Sequence, residues 1–339
     1  MSRMDRILAD PMDPGRLCRE DLEFILGLEQ LPDELLQTTS QLRNRFSGGV
    51  IRFYHPLPRF PSVSVTGTRC ELNCPHCSGK YLSQMIAASS PAELYDVCKS
   101  LDQKDGTGCL ISGGSDRKGC VPLDPFYRTM ERVKAETDLI LNVHTGLIDE
   151  AGADKLASTG IDLVCTDLIG SSQTISRVYG LSATPEDYLN SIKYLRDSGV
   201  PTVVPHICVG LDWGMVGGEA QALHMLTDSD PGIVVILALR PTKGTPMAMS
   251  NAPSPLMVAK TVACARLAFP SSSIALGCMR PNAQRKSMEK LVILSGADRL
   301  VLPTSTTLRW AAEQGLEAVH LDACCAVPAR LESMTLGRR

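Results

Sequence analysis

Ser62-Val-Ser-Val-Thr66-Gly-Thr-Arg-Cys70-Glu-Leu-Asn-Cys74-Pro-His76-Cys77-Ser-Gly-Lys80 starts as a β-branched run and breaks at Gly67 into a loop that carries three cysteines. A short strand that feeds directly into a loop of chemically active side chains is how α/β folds build their sites, at the carboxyl ends of parallel strands. Three thiolates within eight residues can converge on one soft centre, and thiolates select zinc, copper(I) or iron–sulfur clusters. A closed structural zinc site needs four ligands. The nearest further donor, His76, lies between two of the cysteines and is poorly placed to share their metal. A four-iron cluster on Cys70, Cys74 and Cys77 keeps one iron without a protein ligand, where a small molecule can bind. The rival readings are a zinc knuckle or three core cysteines.

Downstream of this loop, β-branched runs alternate with amphipathic stretches. Strands are expected at Ser62–Thr66, Cys109–Ser112, Leu139–Val143, Leu163–Asp167, Thr202–Cys208, Ile233–Leu239, Ser273–Leu276 and Arg299–Val301, with helices between them. Ser90-Pro91 and Thr184-Pro185 have the form of helix starts. The runs are apolar throughout rather than alternating, as in strands covered on both faces. Eight strand–helix pairs over roughly 250 residues match a (β/α)8 TIM-type barrel, with a doubly wound open sheet as the rival. Residues 1–58 read as an N-terminal helical extension ending in the Pro56, Pro58, Pro61 stretch. Residues 59–328 form the barrel with its C-terminal segment, and 329–339 a tail. There is no repeat beyond the βα rhythm and no low-complexity segment.

The chain has 339 residues, 44% of them hydrophobic, and a formal net charge of −3. No basic run points to nucleic acid. Met1–Glu20 has no apolar core of a secretory signal, and runs such as Ile233–Leu239 are too short to span a bilayer. A cytoplasmic protein without membrane attachment is expected. The 13 cysteines therefore read as metal-binding where clustered and as small core residues where scattered. Cys98, Cys165, Cys208 and Cys264, on expected strands and helices, fall in the scattered class.

Other polar residues gather at expected strand ends. Gly113-Gly114-Ser115 follows the second strand and lets the backbone approach a ligand, although a plain βα turn explains it too. Asn142 and His144 close the third strand and Asp167 the fourth, while Pro205-His206 lies on the fifth. Cys278 follows the seventh strand. Cys324 and Cys325 lie past the eighth unit, where they would meet Cys278 at the barrel mouth as ligands of a second cluster. The alternative is two exposed C-terminal thiols and one core cysteine.

The Cys70-x3-Cys74-x2-Cys77 loop resembles that of the radical S-adenosylmethionine (SAM) superfamily. The resemblance implies a [4Fe–4S] cluster whose open iron is chelated by SAM, which is then cleaved reductively to a 5′-deoxyadenosyl radical. It also implies that His76 stands where an adenine-contacting residue is usual. Gly113, Gly114 and Ser115 match the segment that binds the SAM amino group, with serine replacing the usual acid; Asp116 is a possible substitute. Asn142, His144 and Asp167 are expected to contact SAM or substrate. No residue is assigned a specific acid–base role.

Leu110-Ile-Ser-Gly-Gly114, Asn142-Val-His-Thr-Gly-Leu-Ile148, Val204-Pro-His-Ile-Cys-Val-Gly210, Pro241-Thr-Lys-Gly-Thr245, Leu276-Gly-Cys-Met-Arg-Pro281 and Cys324-Cys325-Ala narrow the resemblance to a biotin-synthase-related family. It is similar to one component, the first-acting octanoyl C8 component, of the two-protein archaeal-type lipoyl synthase. That implies sulfur insertion into an octanoyl-lysine chain and a sacrificial auxiliary cluster, here on Cys278, Cys324 and Cys325. The implied partners are the second radical SAM component, an octanoylated carrier protein, and a reducing protein such as ferredoxin or flavodoxin. The rivals are another radical SAM reaction with a single cluster, or a non-catalytic iron–sulfur scaffold.

Overall fold

The computed structural model describes residues 2–13 and 17–337. Its centre is an eleven-stranded sheet in the order β11-β1-β10-β9-β8-β7-β6-β5-β4-β2-β3, parallel in every ladder. The eight expected strands are β2 (Ser62–Ser64), β4 (Gly108–Ser112), β5 (Ile140–His144), β6 (Leu163–Asp167), β7 (Val203–Val209), β8 (Ile233–Ala238), β9 (Ser273–Leu276) and β10 (Arg299–Val301). From β4 to β10 each strand pairs with the next in sequence. That order has no reversal point, so the doubly wound alternative is excluded and the TIM-type expectation stands in the form of a half-barrel sheet.

Three strands escaped the sequence reading: β1 (Val50–Tyr54), β3 (Ile86–Ala87) and β11 (Glu317–Leu321). β1 corrects the N-terminal boundary. The extension is helical only to Ser47, in α1 (Arg3–Leu8), α2 (Arg19–Gly27) and α3 (Asp33–Ser47). The Val-Ile-Arg-Phe-Tyr run that follows has β-branched and aromatic content and inserts between β10 and β11. The tail expected from residue 329 is ordered as 3₁₀ turns over Ala329–Thr335, and its last two residues lie outside the described ones.

The connecting helices start where local chemistry dictates. Ser90 caps α4 (Pro91–Asp102) by accepting from Glu93 N–H, and Thr184 caps α8 (Pro185–Asp197) by accepting from Asp187 N–H, each in a reciprocal capping box with proline at the first turn. α4, α5 (Tyr127–Glu136) and α6 (Glu150–Ala157) cover β4–β6 through Leu94, Met130, Val133 and Leu156. α9 (Glu219–Met225), α10 (Pro255–Ala268) and α11 (Arg285–Leu294) cover the second half. The extension lies over them: Lys260 Nζ donates to Leu28 O at 2.8 Å and Ser40 Oγ to Leu294 O at 2.7 Å. α7 (Ser172–Thr174) is a single turn after β6, and α12 (Ser305–Glu313) precedes β11. No helix among the described residues is long and apolar enough to cross a membrane.

Candidate active site in the barrel lumen

The Cys70–Cys77 loop is fastened at its start to the turn after β4. Thr66 Oγ1 accepts from Gly114 N–H at 2.7 Å and donates to Arg69 O at 2.8 Å, while Glu71 N–H donates to Ser115 O at 2.8 Å. Within the loop, the N–H groups of Cys77 and Ser78 both donate to Cys74 O, a tight turn that brings the second and third cysteines together. A Cβ on Gly114 would lie 2.0 Å from Arg69 O and 2.6 Å from Cys70 Cβ, so only glycine allows the two segments to touch. The Gly113-Gly114-Ser115 segment thus supports the cysteine loop directly. Asp116 Oδ1 accepts from Lys118 and Cys120 N–H within its own turn.

All three cysteines are free thiols; Cys74 is buried and Cys70 and Cys77 half-buried. A hydrogen bond from the Cys74 thiol holds Cys77 down at about 4, and the same bond with burial pushes Cys74 up. This reduced, partly accessible set of three sulfurs fits an iron–sulfur cluster with one open iron. His76 points its ring towards Tyr179, centroids 5.6 Å apart, and its buried Nδ1 has no hydrogen-bond partner among the described residues.

Alternate residues of each strand face the lumen, and they form layers. The floor is apolar: Ile140, Leu163, Val204, Ile233 and Ala275 pack with Ala323, Ala326 and Val327 from the C-terminal segment. Above it Asn142, fully buried, donates from Nδ2 to Cys324 Sγ at 3.6 Å and leaves its Oδ1 without a partner. Above that, His144, Asp167 and His206 converge, with ligating atoms all within 4.8 Å of one another. His144 Nε2 is 3.7 Å from Asp167 Oδ1, and the two histidine rings are 5.7 Å apart. Burial opposes charge on His144, but Asp167 outweighs it and holds the imidazole above its ordinary value. His206 is half-buried, and desolvation together with the facing His144 pushes it down to about 4.

Beside Asp167 and His206 a small cleft of about 30 Å³ opens, walled by Tyr179, Leu168, Gly170 and Gly218. Its rim is tight, since a Cβ on Gly170 would meet Gly218 O at 2.2 Å. Glu219 fixes the far wall by accepting from Gly210 N–H at 2.8 Å and Gly217 N–H at 2.7 Å.

The second cysteine group is brought together, but not at the mouth. Cys278 follows β9 at the carboxyl end of the strands; it is exposed to water yet within electrostatic reach of Cys324, so it lines the open interior. Cys324 and Cys325 enter from the opposite end. Their segment is tied to the amino ends of strands: Thr107 Oγ1, just before β4, donates to Asp322 O, and Arg330 Nη1 bonds Thr202 Oγ1, just before β7. The missed strand β11 accounts for the difference, because it carries the chain under the barrel before the cysteine pair is reached.

Cys165, expected to be a packing residue, faces the lumen in the same cluster as Cys324 and Cys325, and its thiol is within electrostatic reach of that of Cys324. Cys208, expected likewise to pack, lines the cleft beside Asp167 and His206. His206 and Tyr179 complete the residues without an assigned role in the sequence reading. Strand alternation held the missing signal for Cys165: once Asp167 is placed inward, the residue two before it is inward too. Tyr179 sits in a π-helical turn, Ile175–Tyr179, that has no periodic signature.

Comparison with known proteins agrees with this geometry. The model of the radical SAM superfamily matches residues 64–213, from β2 to beyond β7. The biotin synthase of Synechococcus sp. (strain JA-3-3Ab) is 29% identical over 273 residues, 74% of this chain and 83% of that one. Crystal structures of methylornithine synthase (TM-score 0.65, 18% identity, covering 94% of this chain and 97% of that one) and of the FeFe-hydrogenase maturase HydG from Carboxydothermus hydrogenoformans (TM-score 0.67, 17% identity, 93% and 79%) share the fold.

Proposed function

We propose that this chain, a radical SAM enzyme related to biotin synthase, inserts sulfur into an octanoyl chain carried on a lysine, as a lipoyl-synthase-type sulfurtransferase. The observation that carries the sulfur insertion is the second thiol group, with Cys324 at the lumen floor directly beneath His144, Asp167 and His206. An unactivated C–H bond lies beyond the reach of acid–base groups at accessible pKa values. When bound, the cluster and SAM supply a primary-carbon radical able to take that hydrogen.

The chain's own residues do the rest. Cys70, Cys74 and Cys77 hold the first cluster, and the cleft beside Asp167 holds the nucleoside. Cys278, Cys324 and Cys325 hold an auxiliary cluster as the sulfur source. The apolar plug of Ala323, Ala326 and Val327 closes the lumen from below and keeps water from a reactive carbon centre. The choice of an octanoyl-lysine substrate rests on the resemblance of the segments around Asn142, His206, Cys278 and Cys324-Cys325. In this reading a second radical SAM component, an octanoylated carrier and a reducing protein act with the chain in the cytoplasm.

The similarity to biotin synthases favours one other reading, sulfur insertion into the sulfur-free precursor of biotin. Reconstituted protein incubated with SAM, dithionite and either an octanoyl-lysyl peptide or that precursor separates them by product mass. One sulfur gained on the peptide supports the proposal. Gain on the precursor alone selects the second reading, and 5′-deoxyadenosine without sulfur transfer to either discards both.

A further inference from the structure

We propose that Cys165 is a ligand of the auxiliary cluster and completes a four-cysteine set with Cys278, Cys324 and Cys325; the inference rests on the second cluster of the proposed function. β6 projects Leu163, Cys165 and Asp167 into the lumen in succession. Leu163 lies in the apolar floor and Asp167 in the polar layer, so Cys165 occupies the level between them. That is the level Cys324 reaches from below, where Asn142 Nδ2 meets its sulfur at 3.6 Å. In the β5–β6 ladder Asn142 pairs with Leu163 and His144 with Cys165, so Cys165 stands one inward-facing step beyond the partner of Asn142 on the adjacent strand.

The four thiols come from three directions. Cys165 is on a strand wall, Cys324 and Cys325 rise from the plug, and Cys278 descends from the end of β9. Cys165 is 1% exposed and Cys325 4%, so neither is presented to bulk water; both face the interior group that includes Cys324. A core cysteine needs only to fill volume, and alanine or serine then changes packing alone. A ligand changes the metal centre. Three thiolates leave one iron of a four-iron cluster open, as in the first site, whereas four close it. A closed auxiliary centre separates the two roles chemically: SAM has its vacant iron at the mouth and finds no second one on the floor.

The test uses the full chain with Cys70, Cys74 and Cys77 replaced by alanine, so that only the auxiliary centre is read. After anaerobic reconstitution about four irons per chain are expected, resistant to mild oxidation. Adding Cys165→Ala is expected to abolish the cluster or to make it lose one iron on oxidation, giving the EPR signal of a three-iron form. Cys165→Ser keeps nearly the same volume and guards against a folding defect, which far-UV circular dichroism monitors; it should alter the EPR spectrum of the reduced centre. Iron content and spectra identical to the parent in both variants overturn the role of Cys165 alone. A parent that takes up no iron overturns the auxiliary cluster and this inference with it.

Discussion

The guanidinium of Arg299 donates through Nη1 to the backbone carbonyl of Cys325 at 2.9 Å, and the same nitrogen reaches Val327 O at 2.6 Å. Arg299 opens β10 and is 2% exposed; its Nη2 also pairs with Glu332 at 3.1 Å. One buried cation thereby fixes the segment that presents Cys324 and Cys325 and ties it to the 3₁₀ turns beyond. Burial opposes its charge, but Tyr54, Asp298 and Glu332 outweigh it.

Replacing Arg299 with methionine keeps the volume and removes every one of these bonds. It leaves two buried carbonyls without their donor and takes one donor from Glu332, which keeps Arg52 and Tyr54, at a cost of about 2–4 kcal/mol in stability. The expected outcome is a lower melting temperature and loss of auxiliary iron, with the iron on Cys70, Cys74 and Cys77 retained. Full retention of both clusters in Arg299→Met would show that the plug holds its position without this clamp.

The two adjacent glycines after β4 should respond unequally. On Gly114 a methyl group would press on Arg69 O and the Cα and Cβ of Cys70, atoms with no room to yield. On Gly113 the nearest atoms belong to the Thr66 side chain, at 3.1 Å, which can give a few tenths of an ångström. Overpacking of the first kind costs about 1–3 kcal/mol or more. Gly114→Ala should therefore impair loading of the first cluster, while Gly113→Ala loads normally. Equal iron content in the two variants contradicts the close packing of these segments.

The strands and the first cysteine loop were readable because each rests on local signals: β-branched runs, capping pairs such as Ser90–Glu93, and thiol spacing. β1 and β11 were not, because five-residue strands beside a helical extension and a charged stretch give no marker of which sheet they join. The side from which Cys324 enters depends on β11, so its position was not readable either. Asn142, His144 and Asp167 were found from their strand-end positions. Their meeting with His206 is a property of the β5–β6–β7 register, which sequence spacing does not reveal.

The N-terminal extension carries a pH-sensitive anchor. Asp21, fully buried on α2, accepts from Arg3 Nε at 2.9 Å and pairs with Arg6. Burial pushes its carboxyl up, but Arg6 and Arg3 outweigh that and bring it down to about 2. Its value in the unfolded chain is about 3.9. A group depressed by folding contributes stability that is complete above its unfolded value and is lost as pH falls through the folded one. The half-exposed arginines are screened by water, so the contribution is roughly 1–2 kcal/mol. In the metal-free chain, stability followed by urea titration should decline between about pH 4 and pH 2. Asp21→Asn should start lower and remove that part of the slope; an unchanged slope assigns it to other carboxylates.

Glu219 offers the sharpest test of the proposed placement of the nucleoside, because it shapes the wall of the cleft without lying over the cysteine loop. Its two oxygens accept from Gly210 and Gly217 N–H, and it is 5% exposed, so the loop between β7 and α9 is held by a single buried carboxylate. Glutamine has one carbonyl oxygen, and its amide hydrogens would face a backbone N–H. Losing one such bond and stranding its donor costs about 1–3 kcal/mol. Part of that cost falls on the shape of the cleft, so SAM affinity should fall roughly tenfold for each 1.4 kcal/mol transferred. Equilibrium dialysis of reconstituted Glu219→Gln against SAM measures this, with iron content as the control. A variant that keeps its first cluster and binds SAM as tightly as the parent would place the nucleoside elsewhere than between β6 and β7.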